Sequence, residues 1–320
     1  MRYARARLLQ ATPLLLLVSV AGFGIMHLAP GGPTTAYTHN PLVSSEHIRR
    51  IRLAMGLDDP WQVQYVKWLS SLLRGDWGYS LADGRPVLTV ILERVPATLL
   101  LMAAAFAVAV ALAVPVGAVA ALRQYSWVDH ALTLLSYFAW AMPVFWLGLL
   151  MQFVLAVHLH LVPVAGMHAV GAGDPLDLLH HLVLPALVLG VTSVAGWSRY
   201  LRSSLLEVLH LPYMTTARAK GHSARSALLR HGLRNALVPI VTVVGLDVPQ
   251  FFTGAVVTET IFAWPGMGRL FYDALGARDY AVEMGLLMIT AALIILGNLA
   301  ADLVCAALDP RIRLGARSPR

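Results

Sequence analysis

The chain has 320 residues, 58% of them hydrophobic and only 13% charged, with a mean hydropathy of +0.68. Soluble domains carry about 45–50% apolar and about 25% charged residues, so this composition excludes a soluble globular protein, a disordered chain and a nucleic-acid binder, and makes lipid the main solvent. The net charge of +7 reads as a topology signal, and a single cysteine, Cys305, excludes an intrachain disulfide.

The predicted fold is an all-α integral membrane protein with six transmembrane helices. A crossing needs about 20 apolar residues. The first such run, Leu8–Ala29, has 22 residues and no Asp, Glu, Lys or Arg. Arg2, Arg5 and Arg7 precede it as in a secretory leader, but a leader's apolar region is only about 7–15 residues long. Residues 1–29 are therefore predicted to be a retained anchor helix. The segment 30–94 is the one sizeable piece outside the spans, too small to be an independent enzyme domain. It opens on the turn residues Pro30-Gly31-Gly32-Pro33, and Ser44-Ser45-Glu46-His47 can cap a helix entering Ile48–Met55. Gln62–Leu73 places Val63, Val66 and Leu69 or Ser70 on one helical face, and Trp61, Trp68 and Trp77 suit a surface resting on the membrane interface. The remaining spans are predicted at Val95–Leu122, His130–Val157, Leu178–Ser198, Ala236–Thr258 and Met284–Leu308, followed by a tail, 309–320.

Basic residues set the orientation. With the N-terminus inside, the inner pieces 1–7, 123–129, 199–235 and 309–320 carry 15 Arg and Lys, against 9 in the longer outer pieces 30–94, 158–181 and 259–283. The inner density is about three times the outer. Both termini are expected in the cytoplasm of a multi-pass protein of the inner (plasma) membrane. Lys67 precedes Trp68 and Lys220 precedes Gly221, so neither lysine belongs to a phosphate-cradling Walker A loop. If ATP drives this chain, another subunit hydrolyses it.

The longest and most basic inner segment is 199–235. A short helix is predicted to end at Gly221, and a second helical stretch, Ser223–Asn235, follows. Ala217 and Gly221 are four apart, which predicts that they share a face open to a cytoplasmic partner, with Arg218 and Lys220 beside it.

Within the spans, Asp247 lies two residues before Pro249. Two roles stay open for it: lining a pathway, together with Gln250, or satisfying a backbone group freed by the proline kink. Asn298 and Asp302 form an i, i+4 pair suited to helix–helix hydrogen bonding. Histidines 158, 160, 168, 180 and 181 gather outside, yet no cysteine or acid completes a convincing ligand set, and no metal site is expected. An intramembrane enzyme is disfavoured: no His precedes a Glu, and Gly196-Trp197-Ser198-Arg199-Tyr200 lacks the second Gly of a nucleophile elbow. A stand-alone secondary transporter would often show inverted repeats, and none is visible.

At the inner loop the motifs become specific. Ala217-Arg218-Ala219-Lys220-Gly221 and Arg234-Asn235-Ala236-Leu237-Val238-Pro239 resemble the cytoplasmic signature of ABC importer permeases, most closely the dipeptide/oligopeptide/nickel branch. Glu259-Thr260-Ile261-Phe262, Trp264-Pro265-Gly266-Met267-Gly268, Arg278-Asp279-Tyr280 and Asp309-Pro310-Arg311-Ile312-Arg313 follow in the family's order. Near the start, Met55-Gly56-Leu57-Asp58, Gly75-Asp76-Trp77-Gly78-Tyr79-Ser80 and Arg94-Val95-Pro96-Ala97-Thr98-Leu99 are similar too. The family's Glu-Ala-Ala stands here as Thr215-Thr216-Ala217, which removes an acidic coupling element, and its Pro-Gly-Asp-Pro stands as Pro30-Gly31-Gly32-Pro33.

The resemblance implies a type I ABC importer permease fold over 95–308 and a B-type subunit paired with a C-type permease. It implies an external substrate-binding protein, and two ATP-binding subunits docked on Thr216, Ala217, Arg218, Ala219, Lys220 and Gly221. ATP and Mg would bind those partner subunits, so this chain is expected to hold no cofactor and to be no enzyme itself. The implied cargo is a peptide or similar small solute; a nickel chelate or other small solute of the same branch is the alternative.

Overall fold

A computed structural model describes residues 2–28, 46, 49, 56–171, 173–221 and 223–308. The turn predicted at Pro30–Pro33, the tail 309–320 and, apart from Arg49, the helix predicted over Ile48–Met55 lie outside the described residues. Among the described residues the regular elements are helices, joined by turns and irregular segments, with one isolated antiparallel bridge between Tyr79 and Pro86.

In chain order the helices are α1 (Arg2–Leu28), α2 (Trp61–Leu73), α3 (Val87–Leu122), α4 (Trp127–Ala141), α5 (Val144–Met151), α6 (Pro175–Leu209), α7 (Pro212–Ala219), α8 (Ala224–Ala227), α9 (Leu233–Leu246), α10 (Val248–Ile261), α11 (Met267–Ala277) and α12 (Tyr280–Leu308). α5 runs on into a π-helical segment, Gln152–His158, and α8 into another, Leu228–Gly232. Among the described residues, four helices have stretches long and apolar enough to cross a membrane: Leu9–Leu28 in α1, α3, α6 and Tyr280–Val304 in α12. Two bent pairs raise the number to six.

Both bends have a proline cause. The single span predicted over His130–Val157 is two helices meeting at 106°. Proline restricts the residue before it to extended backbone, and Met142 ahead of Pro143 has φ −82°, ψ 124°, ending α4. Near the middle of the span predicted over Ala236–Thr258 the bend is 58°. Pro249, near the start of α10, lacks an N–H and crowds the preceding turn, so α9 stops at Leu246. Other helices outrun their predicted spans. α3 starts at Val87 rather than Val95, and α6 runs 35 residues, Pro175–Leu209, between the caps Asp174, whose side chain accepts the Asp177 N–H, and His210. At 1.5 Å per residue α6 is about 52 Å long, so it projects well past a hydrocarbon core of about 30 Å.

The chain divides into two compact units, Met1–Thr98 with Pro265–Ile295, and Leu99–Trp264 with Leu296–Arg320. The first is cored by Val87, Ile91, Met267, Ala274, Val282 and Leu286, with Trp77 packed against them. In the second, α6 is central. α3 turns a stripe of Ala105, Ala109 and Ala113 inward, all buried. Small residues let membrane helices approach until backbones touch. A Cβ on Gly190 of α6 would stand 2.5 Å from the Ala105 carbonyl oxygen, and one on Gly117 of α3 would stand 2.6 Å from that of Ser198. One glycine from each helix thus fixes this crossing. On its other flank α6 packs against α9 through Leu201, Leu205, Val208, Ala236 and Ile240.

Candidate functional site

The sequence singles out the stretch around Gly221, and the structure shows how it is held. α6 ends at His210, Leu211 turns the chain, and Pro212 begins α7, where its missing N–H costs nothing. The helix stops at Ala219, and Gly221 takes φ +88°, the left-handed conformation predicted for a glycine stop.

One expectation is overturned here. Ala217 and Gly221 do not share an open face. Ala217 is only 8% exposed and joins Met214 and Ala227 in a buried cluster against Leu209, whereas Gly221 lies beyond the helix end and is exposed. Residues 214 and 217, three apart, form the inward stripe. Pro212, Thr215, Thr216 and Ala219 form the exposed one, and Lys220 and Gly221 extend it. The Thr216 hydroxyl donates to the Pro212 carbonyl at 3.1 Å. Asn235, at the start of α9, donates its side-chain amide to the Tyr213 hydroxyl at 3.0 Å. α7 is thereby tied through the cluster and this bond to both α6 and α9.

A second brace was not legible in the sequence. Arg202 of α6 grips Asp129 in the first turn of α4 through two hydrogen bonds, Nε to Oδ1 at 2.9 Å and a terminal guanidinium nitrogen to Oδ2 at 2.7 Å. The Tyr125 N–H donates to the same Oδ2 at 3.0 Å. Asp129 is buried, and three residues before Arg202 the Arg199 guanidinium lies 4.9 Å from the Tyr137 ring centroid and 5.4 Å from that of Trp140. The only sequence signal was an acid at the rim of an apolar run, facing an inner loop rich in arginine.

Farther along α6, the Trp197 indole N–H donates to Asp247 Oδ2 at 2.7 Å. The Asp247 side chain makes no cap bond to α10, so the backbone role left open for it is not the one observed. Trp197 also sits 5.7 Å from Phe106 and 6.0 Å from Phe251, ring centre to ring centre. Beside this cluster is an apolar cavity of about 170 Å³ bordered by Phe106, Val110, Trp197, Leu201, Leu237 and Val244. Gln250 and Thr253, three apart on α10, are exposed, while Phe251, Phe252 and Ala255 are buried. A polar stripe on an apolar helix suits a water-filled path or another polypeptide, because lipid offers no hydrogen-bond partners. Asn298 and Asp302 are half-buried on α12.

Three of the five clustered histidines have local partners. His168 Nδ1 lies 3.0 Å from Asp177 Oδ2, His181 Nδ1 lies 2.9 Å from the Asp177 carbonyl, and His180 Nε2 lies 3.0 Å from the Leu161 carbonyl. They pin the segment before α6 onto its first turns. Among the described residues no three His, Cys, Asp or Glu side chains are grouped to hold a metal ion.

In the first unit, motifs far apart in sequence close on each other. The buried Asp279 Oδ2 accepts from the Ser80 hydroxyl at 2.6 Å and from the Leu81 N–H at 2.8 Å. The Met267 N–H, opening α11, donates to Thr98 Oγ1 at 2.8 Å. In the same turn the Arg85 N–H donates to Asp83 at 3.0 Å and holds that carboxyl below its ordinary value.

Residues 113–314 match the family described as binding-protein-dependent transport system inner membrane component, and residues 1–102 match the N-terminal part of such membrane components. The chain belongs to this family. It is a multi-pass transport permease of the ABC importer class. The permease is 43% identical over 312 residues to the oligopeptide transport system permease protein AppB of Bacillus subtilis (strain 168), covering 97% of this chain and 98% of that one. It is 36% identical over 335 residues to the dipeptide transport system permease protein DppB of Escherichia coli (strain K12), covering 98% and 99%. Its fold is similar to that of a chain in inward-facing crystals of the MetNI methionine ABC transporter, with TM-score 0.56 at 18% identity over 70% of the permease and 98% of that chain. In this permease fold, α7 and the polar stripe of α10 are the two candidate working surfaces.

Proposed function

We propose that this permease, with a second, C-type permease, forms the translocation pathway for peptides or similar small solutes delivered by an external binding protein. Two ATP-binding subunits, which hold the ATP and Mg, dock on α7 from the cytoplasm. The observation that carries the reading is α7 itself: a short helix with Thr215, Thr216 and Ala219 turned outward and Lys220 just past its end, fastened by a buried cluster to α6 and α8 and by the Tyr213–Asn235 bond to α9. The relatives named as oligopeptide and dipeptide permeases support the cargo class. ATP binding moves the docked helix, and α6 and α9 carry that movement to Trp197 and Asp247. To switch a two-state pathway from 1:99 to 99:1, the ATP-bound partners must favour one state by about 5.5 kcal/mol. Asp247 and Gln250 line the path, while Asn298 and Asp302 pack helices.

The docking test separates the faces of α7. Ala219→Trp and Lys220→Glu are expected to reduce co-purification of the ATP-binding subunits and to remove substrate-stimulated ATP hydrolysis, with folding intact. The Lys220→Glu loss should depend on salt, since exposed charge pairs are screened over about 8 Å at physiological ionic strength. Arg218→Glu is expected to behave in the same way. Ala217→Glu should instead lower thermal stability, because it inserts a carboxylate into the cluster under α7. Full docking by Ala219→Trp and Lys220→Glu together would refute the assignment.

Topology has its own test. With Cys305→Ala as background, Ser71→Cys is expected to react with an impermeant maleimide in intact cells and Ser226→Cys only after lysis. The reverse pattern would invert the orientation. For the pathway, Asp247→Asn should preserve assembly and alter the peptide uptake rate in reconstituted vesicles. Trp197→Phe, which removes the indole N–H facing that carboxylate, should shift uptake in the same assay. Unchanged kinetics in both would make the pair purely structural.

A further inference from the structure

Helix α2 packs on α1 below the end of the membrane span. The Tyr65 hydroxyl meets Ser19 Oγ at 2.8 Å, and Ser19 itself donates to the Leu16 carbonyl. Phe23 lies 5.5 Å from Tyr65 and 6.0 Å from Trp68, ring centre to ring centre, and Gln64 Oε1 is 3.2 Å from His27 Nε2. These α1 residues belong to the apolar stretch Leu9–Leu28. At 1.5 Å per residue, Phe23 is about 7 Å and Ser19 about 13 Å along the axis from Leu28. α2 is therefore level with one leaflet and not with the water above it.

The far face of α2 is apolar and open. Val66 is 63% exposed, Val63 41% and Leu73 79%, and Trp61 stands half-open at the helix start. Val63, Val66 and Leu73 fall on one side at helical spacing, with Ser70 among them and the exposed Gln62 at the edge, opposite Gln64, Tyr65 and Trp68. The one Lys, Asp, Glu or Arg in α2 is Lys67, which pairs with Asp59 at 2.5 Å. A helix with one apolar face, a terminal tryptophan and little net charge is suited to lie in the interface plane, its apolar side about 5–10 Å into the headgroup and acyl boundary.

We infer that α2 is an interfacial helix whose Val63, Val66 and Leu73 face contacts phospholipid of the leaflet at the Leu28 end of α1. The occupant is the bilayer, because the α1 contacts set the level of this face. α2 thus moors the segment between α1 and α3 to the membrane, and in the turn that follows residues 82–86 are exposed. On the orientation proposed above this is the outer leaflet, but the depth of α2 is independent of that orientation.

Depth is the measurement. In the assembled importer, on the Cys305→Ala background, Val63→Cys and Val66→Cys are labelled with a nitroxide and reconstituted into phosphatidylethanolamine–phosphatidylglycerol vesicles. Collision rates with oxygen and with a water-soluble nickel chelate then report immersion, whichever way the protein inserts. Both sites are expected to favour oxygen, at about 5–10 Å below the phosphates, while Ala82→Cys in the following turn favours the nickel chelate. Nickel-dominated collisions at Val63 and Val66 would place α2 in water and overturn the inference. Low collision rates with both reagents would assign the face to a protein partner and overturn it equally. Because both side chains are open, neither substitution disturbs a packed contact.

Discussion

Asp129→Ala is expected to destabilise the permease by about 3–5 kcal/mol, the usual cost of leaving one partner of a buried ion pair alone. The carboxylate is 3% exposed and accepts both the Arg202 fork and the Tyr125 N–H. Removing it leaves the Arg202 guanidinium, whose side chain is 26% exposed, without its two bonds at the start of α4. Arg202→Met should cost a comparable amount, because the buried carboxylate then keeps only backbone donors. The double variant Asp129→Leu with Arg202→Met is expected to recover much of the loss, since an apolar pair of similar volume has no charge to desolvate. Thermal midpoints in detergent for the parent, Asp129→Leu, Arg202→Met and the double variant form a double-mutant cycle. Strictly additive losses would show that the two groups do not act as a pair. Peptide-stimulated ATP hydrolysis, measured on the double variant, separates stability from transmission. A stable but uncoupled protein would make the brace part of the route from α7 into the membrane.

The second large effect is expected at the α3–α6 crossing. Gly190→Ala places a methyl 2.5 Å from the Ala105 carbonyl oxygen, and that atom is backbone that no rotamer can move aside. Overpacking of this kind costs about 1–3 kcal/mol, and Gly190→Val should exceed it, since its branched side chain would force the helices apart. Gly117→Ala meets the Ser198 carbonyl oxygen at 2.6 Å and should behave alike. Gly196 on the same helix is the control. A Cβ there meets nothing within 4 Å, so Gly196→Ala is expected to be neutral or stabilising by up to about 1 kcal/mol, through helix propensity alone. Equal loss of thermal stability at Gly190 and Gly196 would mean that propensity, and not close helix approach, governs these positions.

Much of the architecture was legible because it is local. Hydropathy summed over about 20 residues locates a membrane helix without reference to anything it touches, and each of the six predicted runs is occupied by helix. The stop at Gly221 and the kink at Pro249 follow from glycine and proline backbone preferences that need no tertiary partner. Neither the break at Pro143 nor its angle of 106° was legible, because Pro13, Pro185 and Pro239 lie inside continuous helices, so what the two halves pack against decides the outcome.

Side-chain direction and pairing were decided by the tertiary structure. Spacing alone put Ala217 on the same face as Gly221. The fold turned it inward, because Met214 and Ala227 offer it a place out of water and the helix ends before Gly221. Ser80 and Asp279 stand 199 positions apart, and Arg202 reaches Asp129 across 73. No periodicity encodes such bonds. A buried carboxylate must be satisfied by whichever donors the fold brings within about 3 Å. The amino-acid sequence by itself determined the apolar helices and their solvent, since each depends on a short stretch of chain. Only the folded chain decided which polar side chains meet, since that depends on elements joined by burial rather than by sequence.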